Sequence, residues 1–410
     1  MDIKFNVPFT TGKELEYINE VFSLGHFGGN GPFTKKCQEW LEQYLGAPRV
    51  LLTHSCTGAL EMASMLLDIK EGDEFITPSY TFVTTASAFM RGGGEPVFCE
   101  IDEQMLLDVH DMESKISPET KALVPVHYAG SAPDMDKMVE ISQNYSIPIV
   151  EDSAQGLGSK WNGKSLGTFG ELGCISFHET KNIHSGLGGC LIVNDESLIS
   201  KAEIIWERGT DRSLFLKGLV DKYTWREVGS SFYPSELQSA FLLAQLEELD
   251  GNLAYRKSII EKYEKSLEEL ELNGNLRILK PSEKSQSNSH MFAIILDNEI
   301  ITEKLRRHLV SNGIQAVIHY VPLHQSSVGK KLGYEKNHFP ITENLAGRLL
   351  RLPLHHEIGN DQINEIPYYN DGLWWVQDFS AMLPIYLLGN IKNLRTVDMC
   401  AAPGGKTLQL

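Results

Sequence analysis

Two charged residues follow apolar segments of the chain at places where ligand chemistry is common. Asp152 ends the run PIVED, and Lys181 comes directly after the run ELGCISF. Ligands of open parallel sheets bind beyond the carboxyl ends of the strands. A carboxylate there can keep a nitrogen cation protonated, and a lysine amine that is partly neutral is a nucleophile and a proton carrier. Each residue also has an ordinary interpretation: Asp152 as a helix cap or ion-pair partner, and Lys181 as a solvated surface lysine.

Short hydroxyl side chains and aromatic rings stand in or after three other apolar runs. Ser55 and Thr57 lie where a helix is predicted to begin after VLLT. Such a helix start is a typical phosphate site, although either residue could be only a helix cap. Ser176 adds a hydroxyl within ELGCISF. Tyr80 and Phe82 follow EFITP and could cover a flat ring or belong to the core.

These features together match the groups of one cofactor, pyridoxal 5'-phosphate (PLP). Its aldehyde needs a lysine, its ring nitrogen needs a carboxylate, and its phosphate needs amides and hydroxyls at a helix start. Each feature is a weak signal alone, but all of them lie at or after the ends of predicted strands in one half of the chain. We therefore predict PLP as the cofactor, with Lys181 as its covalent partner.

The elements that must position these residues alternate between strand and helix. Amphipathic stretches at 57–69 and 134–145 predict helices between short apolar runs, and continuous apolar runs are typical of strands covered on both faces. This alternation predicts an α/β domain with a mostly parallel sheet. The predicted strands are VLLT (50–53), EFITP (74–78), EPVFCEID (95–102), ALVPVH (122–127), PIVED (148–152), ELGCISF (171–177) and GGCLIVN (188–194).

The second half of the chain has a different pattern. A long helical tract runs from Pro234 to about Glu271, with a break predicted at Asp250-Gly251. A smaller α+β module follows, with the strand MFAIILDN, the helix ITEKLRRHLVSNG, the strand AVIHYVPL and a helix near 342–350. We therefore predict a large domain over 1–250, a small domain over 251–366 and a separate segment over 367–410.

Composition narrows the class of protein. The net charge of −17 repels a phosphate backbone, so nucleic acid is not an expected partner. The six cysteines are scattered and never spaced as CxxC, which argues against a zinc site or a disulfide framework and favours a reducing compartment. No membrane span or signal peptide is indicated, so we expect a cytoplasmic protein without a metal.

At this point the residues resemble the DegT/StrS family of sugar aminotransferases, which are PLP-dependent transferases of fold type I. The similarity covers about residues 1–365. It implies a seven-stranded, mostly parallel sheet domain with a smaller α+β domain. The blocks that carry it are SCTGALEMA, PSYTFVTTASAF, VPVHYAG, VEDSAQG, LGTFGELGCISFHETKN and HYVPLH.

The resemblance implies a role for each matching residue. Lys181 would be the Schiff-base lysine, Asp152 the partner of the pyridine nitrogen and Gln155 a neighbour of the ring hydroxyl. Phe82 would stack on the ring. The residues that the resemblance implies around the phosphate are Cys56, Thr57 and Ser176, beside Ser55 from the helix start, and those expected on the sugar side are His127, His319, Tyr320 and His324. Any one of these histidines could instead be structural.

A finer resemblance concerns the substrate. The segments VHYAGSAPDMD, FHETKN, WERGTDRSLFLKG and VDKYTWREVGSS are similar to the transaminases that make dTDP-4-amino-4,6-dideoxygalactose for glycans such as enterobacterial common antigen. This implies dTDP-4-keto-6-deoxyglucose as acceptor and L-glutamate as donor. Family dehydratases have histidine where this chain has Lys181, so the lysine implies transamination.

The resemblance also implies a homodimer with shared active sites. Many family members have G-x-N-x-R in the loop that reaches the partner's phosphate, whereas this chain has Gly229-Ser230-Ser231. Ser231 keeps a hydroxyl donor, but the asparagine and arginine are missing. We interpret this difference as a feature of the dTDP-4-amino-4,6-dideoxygalactose transaminases named above.

The last segment resembles a different family. DGLWWVQDFSAMLPIYLLG and TVDMCAAPGGKT are similar to the start of Sun-type RNA cytosine-5 methyltransferases. Only about 45 residues match, without the catalytic cysteines of that family, so we expect no methylation. The alternative hypothesis for the whole chain is an inactive chimera or a regulatory family member with a non-functional methyltransferase tail.

Overall fold

The computed structural model describes residues 3–216 and 218–358. These residues form thirteen strands and thirteen α-helices. The strands are β1 Arg49–Thr53, β2 Glu74–Pro78, β3 Glu95–Cys99, β4 Thr120–Leu123, β5 Val150–Asp152, β6 Lys160–Trp161, β7 Lys164–Ser165, β8 Leu172–Ser176, β9 Gly189–Val193, β10 Arg277–Ile278, β11 Ser285–Gln286, β12 Phe292–Ile295 and β13 Leu349–Leu352.

The helices lie between and after these strands. They are α1 Glu14–Leu24, α2 Pro32–Leu45, α3 Cys56–Leu66, α4 Val83–Met90, α5 Val109–Ser114, α6 Met135–Tyr145, α7 Ile199–Trp206, α8 Arg212–Leu216, α9 Glu236–Glu247, α10 Leu249–Leu272, α11 Glu299–Ser311, α12 Ser327–Lys331 and α13 Pro340–Arg348. Short 3-10 helices are Tyr128–Gly130, Glu196–Leu198, Leu323–Gln325 and Tyr334–Lys336.

Seven strands form one large sheet, as predicted. Its order is β3-β2-β4-β5-β8-β9-β1, where parallel bridges such as Leu123 to Ile149 join β4 to β5. Only β9 runs antiparallel to its neighbours, β8 and β1. All five residues of both β8 and β9 are buried. Their continuous apolar sequences therefore reflect a sheet that is covered on both faces.

The parallel strands of this sheet end at one edge. Asp152 is the last residue of β5 and Ser176 the last of β8, while β1 ends two residues before Ser55. Because β9 is antiparallel, it begins at this same edge with Gly189. The residues singled out in the sequence are thus brought to one side of the sheet.

The second half of the chain forms a smaller sheet, β10-β12-β13, which shares a hydrophobic core with α10 and α11. Helix α10 joins the two parts, because Leu249 packs in a core of the large sheet and Tyr263 in the core of the small one. The prediction of a domain boundary near residue 250 stays a prediction. The end of the small domain and the segment 367–410 lie outside the described residues.

Two local predictions were wrong. The helical break lies at Glu248, between α9 and α10, and Gly251 is inside α10. The segment AVIHYVPL is not a strand, because only Val317 makes a bridge, to Arg351. The segment instead forms a loop along the cavity described below. In this loop Tyr320 has a φ of 38°, whereas strand residues have negative φ values.

Candidate active site

A cavity of about 460 Å³ lies at the carboxyl edge of the large sheet, facing the small sheet. It brings together eleven of the thirteen residues predicted from the sequence: Ser55, Cys56, Thr57, Phe82, His127, Asp152, Gln155, Ser176, Lys181, His319 and Tyr320. The two that it does not include are Ser231 and His324. These parts of the chain are far apart in sequence, so the fold itself assembles the cavity.

Asp152 is buried at the floor of the cavity. The hydroxyl of Thr85 donates to Asp152 Oδ2 at 2.6 Å, and the amide of Ala154 donates to Oδ1 at 3.2 Å. Burial nevertheless raises the pKa of the Asp152 carboxyl, because desolvation outweighs these two bonds. A carboxylate in this position is stabilised by a cation placed beside it. A protonated ring nitrogen is such a cation.

Lys181 reaches the same cavity from the turn after β8. Its backbone amide donates to the carbonyl of His178 at 2.9 Å, which fixes the turn. Burial lowers the pKa of the Lys181 amine to about 8, although Cys56 and Asp152 act in the opposite direction. A substantial fraction of the amine is therefore neutral near physiological pH, as nucleophilic attack on an aldehyde requires.

The start of α3 forms the end of the cavity suited to a phosphate. Ser55 is the N-cap of α3, and its hydroxyl accepts from the amide of Gly58 at 3.1 Å. Cys56 and Thr57 are the first residues of this eleven-residue helix and line the cavity. The capping and phosphate interpretations of Ser55 are thus compatible, because helix starts bind anions through their free amides.

A glycine allows this helix start to lie close to the sheet. A Cβ atom on Gly189 would stand 2.4 Å from the backbone nitrogen of Cys56, closer than any real contact. The first residue of β9 therefore lies directly beneath the amides of α3. The run GGCLIVN predicted the strand correctly, but nothing in it indicated the contact with α3.

The aromatic residues separate into two roles. Phe82, the N-cap of α4, is half exposed at the cavity and can cover a flat ring. Tyr80 is fully buried, and its hydroxyl donates to the carbonyl of His319 at 2.8 Å. Tyr80 is thus a core residue that fixes the opposite wall.

Hydrogen bonds to neighbouring residues hold the side chains of Gln155 and His127 in place. The side-chain oxygen of Gln155 accepts from the amide of Ala129 at 2.7 Å. His127 is buried, with Nε2 2.7 Å from Glu151 Oε2, and its Nδ1 has no hydrogen-bond partner among the described residues. Glu151 also accepts three backbone amides, including that of Gly170 at 2.9 Å. The pair orients His127 beside Asp152.

The opposite wall comes from the loop 316–323 and from β13. Tyr128 Oη lies 2.8 Å from His319 Nδ1, and the rings of His319 and Tyr320 stack at 3.7 Å. Burial lowers the pKa of His319 to about 2, so its ring is neutral. A left-handed backbone at Tyr320 is costly for a bulky residue and is typical of functional sites.

The two remaining predicted residues lie elsewhere. The ring nitrogens of His324 are bound by Ser79 Oγ at 2.6 Å and Glu343 Oε1 at 3.1 Å, so this histidine ties the small domain to β2. Ser231 is exposed and makes a backbone bridge with Glu207. The prediction that Ser231 reaches a partner's phosphate is not tested by a single chain.

Sequence reasoning missed several residues of the site. Thr85 does not line the cavity, but its hydroxyl donates to the Asp152 carboxylate. Phe5, His290 and Arg351 do line the cavity, and they come from the N-terminal segment and the small sheet. No local pattern marks these three residues, because only the packing of the small sheet brings them to the site.

The cavity therefore fits the cofactor predicted from the sequence. It offers a buried carboxylate, a lysine with a lowered pKa, a helix start with hydroxyls and an exposed aromatic face. Within 3–216 and 218–358, no group of three or more His, Cys, Asp and Glu side chains is placed to hold a metal ion. No helix of those residues has both the length and the apolar character that a membrane crossing requires.

Comparison with known proteins identifies the family. The DegT/DnrJ/EryC1/StrS aminotransferase family matches residues 9–367. The GDP-perosamine synthase of Escherichia coli O157:H7 is 30% identical over 361 residues, covering 87% of this chain and 94% of that protein. The aminotransferase TlmJ of Streptoalloteichus hindustanus is 28% identical with a TM-score of 0.80, covering 88% of this chain and 96% of that one.

A further solved structure agrees with the fold. Spr1654 of Streptococcus pneumoniae, a proposed sugar aminotransferase in its PLP form, superposes with a TM-score of 0.81 at 24% identity, covering 89% of this chain and 97% of its own. The predictions of fold type I, of PLP and of an aminotransferase are thereby confirmed. The chain is a PLP-dependent enzyme that belongs to the DegT/DnrJ/EryC1/StrS aminotransferase family.

Proposed function

We propose that this enzyme transfers the amino group of L-glutamate to the C4 carbonyl of a nucleotide-linked 4-keto-6-deoxy sugar. The acceptor we propose is dTDP-4-keto-6-deoxyglucose, and the product dTDP-4-amino-4,6-dideoxygalactose. The observation that carries the transamination is the meeting of Lys181 and Asp152 in one cavity at the sheet edge. The name of the E. coli relative, GDP-perosamine synthase, supports a nucleotide sugar as the acceptor.

The residues of the chain would hold the cofactor at three points. Asp152 would bind the ring nitrogen and keep it protonated, the start of α3 with Ser55 and Thr57 would bind the phosphate, and Phe82 would cover the ring. Gln155, whose side-chain oxygen accepts from the amide of Ala129, would lie near the ring hydroxyl. When bound, PLP supplies an electron sink beside the carbon that gains or loses the amine.

Lys181 then acts as the proton carrier. Its Nζ can accept a proton and return it at neutral pH, because burial places its pKa at about 8. The neutral ring of His319 lines the other wall of the cavity, and the buried hydroxyl of Tyr128 holds its Nδ1 at 2.8 Å. This ring offers a hydrogen bond to a sugar without adding charge, which suits an uncharged hexose ring.

The direct experiment is an assay of the purified enzyme with L-glutamate and dTDP-4-keto-6-deoxyglucose. We expect 2-oxoglutarate and an amino sugar in equal amounts, with the galacto configuration at C4 when the product is analysed by NMR. A product with the gluco configuration would contradict the proposed product. Turnover only with a GDP sugar would contradict the proposed acceptor. Absence of transamination with every keto sugar, despite bound PLP, would favour the inactive or regulatory alternative.

The remaining proposals concern the setting of this activity. We infer a homodimer in which Ser231 reaches the partner's phosphate site, in the cytoplasm, in the synthesis of a surface glycan. The tail at 367–410 adds no methyltransferase activity in this account. Titration with S-adenosylmethionine should show no binding, and micromolar affinity would contradict this.

A further inference from the structure

Arg351 is a buried cation of the active site for which the reaction scheme above has no role. It lies on β13, opposite Ala293 of β12. Its neighbours Leu350 and Leu352 point into the core of the small sheet, so alternation turns Arg351 to the other face. There it lines the same cavity as Lys181.

No acidic group neutralises this cation within the described ranges 3–216 and 218–358. Arg351 makes no ion pair there, and its Nε is buried without a hydrogen-bond partner. Its guanidinium lies over the ring of Phe5, 4.7 Å from the centroid. Burial lowers its pKa, and the opposing groups among the described residues are the hydroxyls of Tyr128, Tyr320 and Tyr80. Tyrosine hydroxyls are neutral at physiological pH.

The contrast with a neighbouring arginine shows that this is unusual. Arg256 is also buried, but its Nε donates to the carbonyl of Ser289 at 3.0 Å and a terminal nitrogen to that of His290 at 2.7 Å. Arg256 thus has a structural role with satisfied donors. An unpaired buried charge is costly, and the cost falls when an anion binds beside it. Arg351 is arranged to receive such an anion.

The other charges of the cavity are already assigned. In the proposed function Asp152 would face the cofactor's ring nitrogen, the start of α3 would hold its phosphate, and Lys181 would bind its aldehyde carbon. The anion that remains for Arg351 must come from a substrate, and an amino-acid donor brings a carboxylate next to the carbon whose amine is transferred.

We propose that the guanidinium of Arg351 binds a carboxylate of the amino-acid donor and thereby selects an acidic or zwitterionic donor over a neutral amine. This inference rests on the proposed transamination. Arginine suits the role because its planar donors match a carboxylate in two parallel bonds. The nearby Phe5 covers one face of the guanidinium, leaving its edge for the ligand.

The test compares Arg351→Gln and Arg351→Lys with the matched control Arg277→Gln. Arg277 is on β10 of the same small sheet, pairs with Glu103 at the surface and does not line the cavity. Binding of 2-oxoglutarate and of dTDP to each PLP-loaded protein is measured by calorimetry. The KM values for L-glutamate and for the keto sugar are measured separately.

We expect Arg351→Gln to weaken 2-oxoglutarate binding and raise the glutamate KM about 10- to 100-fold, as for the loss of a charge-assisted bond. The KM for the sugar and the affinity for dTDP should stay within about twofold. Arg351→Lys should recover part of the glutamate affinity, and Arg277→Gln should change neither substrate.

Other outcomes overturn the proposal. Unchanged affinity for 2-oxoglutarate in a folded, PLP-loaded Arg351→Gln enzyme would exclude donor binding. Loss of dTDP or sugar affinity instead would assign the cation to the nucleotide's diphosphate. If Arg351→Gln does not fold, Arg351→Lys decides, since equal loss for both substrates there would also contradict a donor site. Failure of the proposed function is distinguishable, because it would appear in the wild-type enzyme with every keto sugar.

Discussion

At the scale of residues, the site depends on the burial and hydrogen bonding of one carboxylate, that of Asp152. Asp152 is surrounded by low-dielectric core, where the hydroxyl of Thr85 and the amide of Ala154 donate hydrogen bonds to its carboxylate. The sequence indicated Asp152, because it ends an apolar strand. Thr85 was not indicated, since a threonine inside a helix has many ordinary explanations and only the packing of α4 against β5 brings the two together.

Replacing Asp152 by asparagine should keep the shape and remove the charge. We expect kcat to fall about 150- to 5000-fold, because losing one partner of a buried ion pair costs about 3–5 kcal/mol. Steady-state kinetics at saturating PLP measure this. The exposed Asp136→Asn is the control, and a kcat within tenfold of the wild type in Asp152→Asn would show that the ring nitrogen does not depend on this residue.

Removing the hydroxyl that supports Asp152 should have a smaller effect. Thr85→Val deletes the 2.6 Å bond to the carboxylate while keeping the size of the side chain. A hydrogen bond to a charged group is worth about 1.5–3 kcal/mol, so PLP should bind about 10- to 100-fold more weakly. Fluorescence titration with PLP gives the affinity. No change would mean that Thr85 does not act through Asp152.

The lowered pKa of Lys181 predicts a pH dependence. Only the neutral amine attacks the aldehyde, so PLP capture by the cofactor-free protein should quicken about tenfold per pH unit below about pH 8 and level off above it. Stopped-flow absorbance measures the rate, with a free lysine derivative as reference for the cofactor's own ionisation. A rate that keeps rising to pH 10, as for the reference, would show an unperturbed amine.

The lowered pKa of Lys181 also determines how the stability of the protein changes with pH. The folded value lies below that of an unfolded lysine, so the unfolded chain binds more protons between about pH 8 and the ordinary lysine pKa. The contribution of Lys181 to the stability of the cofactor-free protein therefore increases with pH through this interval. Below it, the folded state bears the full cost of burying a charged amine.

At the scale of elements, the site depends on the close approach of β9 to the start of α3. The seven large-sheet strands were predictable because most of them, such as β8 and β9, are continuous apolar runs that the sheet buries on both faces. The segment 316–323 was predicted wrongly as a strand, because its apolar residues serve a loop whose shape is fixed by tertiary bonds such as that from Tyr80. The break at Glu248 involves no glycine or proline at that position, so the sequence did not indicate where the helix is interrupted.

Gly189→Ala tests the contact between β9 and α3. The added Cβ would stand 2.4 Å from the amide nitrogen of Cys56, so the helix start must shift. We expect stability to fall by about 1–3 kcal/mol and PLP phosphate binding to weaken. Urea unfolding and PLP titration measure the two effects. An alanine variant with the stability and PLP affinity of the wild type would show that the approach is not required.

Gly251→Ala is the matched glycine control within an element. Gly251 lies in α10, and a Cβ there would meet no heavy atom within 4 Å. We expect this variant to be more stable by about 0.5–1 kcal/mol, because glycine is a poor helix residue. A loss of stability would indicate that α10 needs the flexibility that the sequence suggested at this point.

At the scale of the whole molecule, one surface is unusually apolar for a single chain. The stretches 212–216 and 218–228 expose several large hydrophobic residues, and Trp225 is 76% exposed. They lie beside the loop with Ser231, which the family resemblance assigns to a shared active site. Large exposed apolar patches mark interfaces, so this surface is consistent with the proposed homodimer.

A charge in this surface should separate the subunits. We expect the wild type to sediment as a dimer at micromolar concentration and Trp225→Asp to sediment as a monomer with reduced PLP affinity, because the phosphate loses the partner's Ser231. Sedimentation velocity is the measurement, and Tyr145→Asp, exposed on α6, is the control. A monomeric wild type with full activity would contradict the shared site.

The account as a whole depends on the covalent partnership of one lysine with the cofactor. The most direct measurement is borohydride reduction of the PLP-loaded enzyme, followed by peptide mapping in a mass spectrometer. We predict one pyridoxyl group per chain, on Lys181, and none in Lys181→Ala, which should also lose the yellow colour and turnover. A label on another lysine, or a coloured and active Lys181→Ala enzyme, would contradict the account.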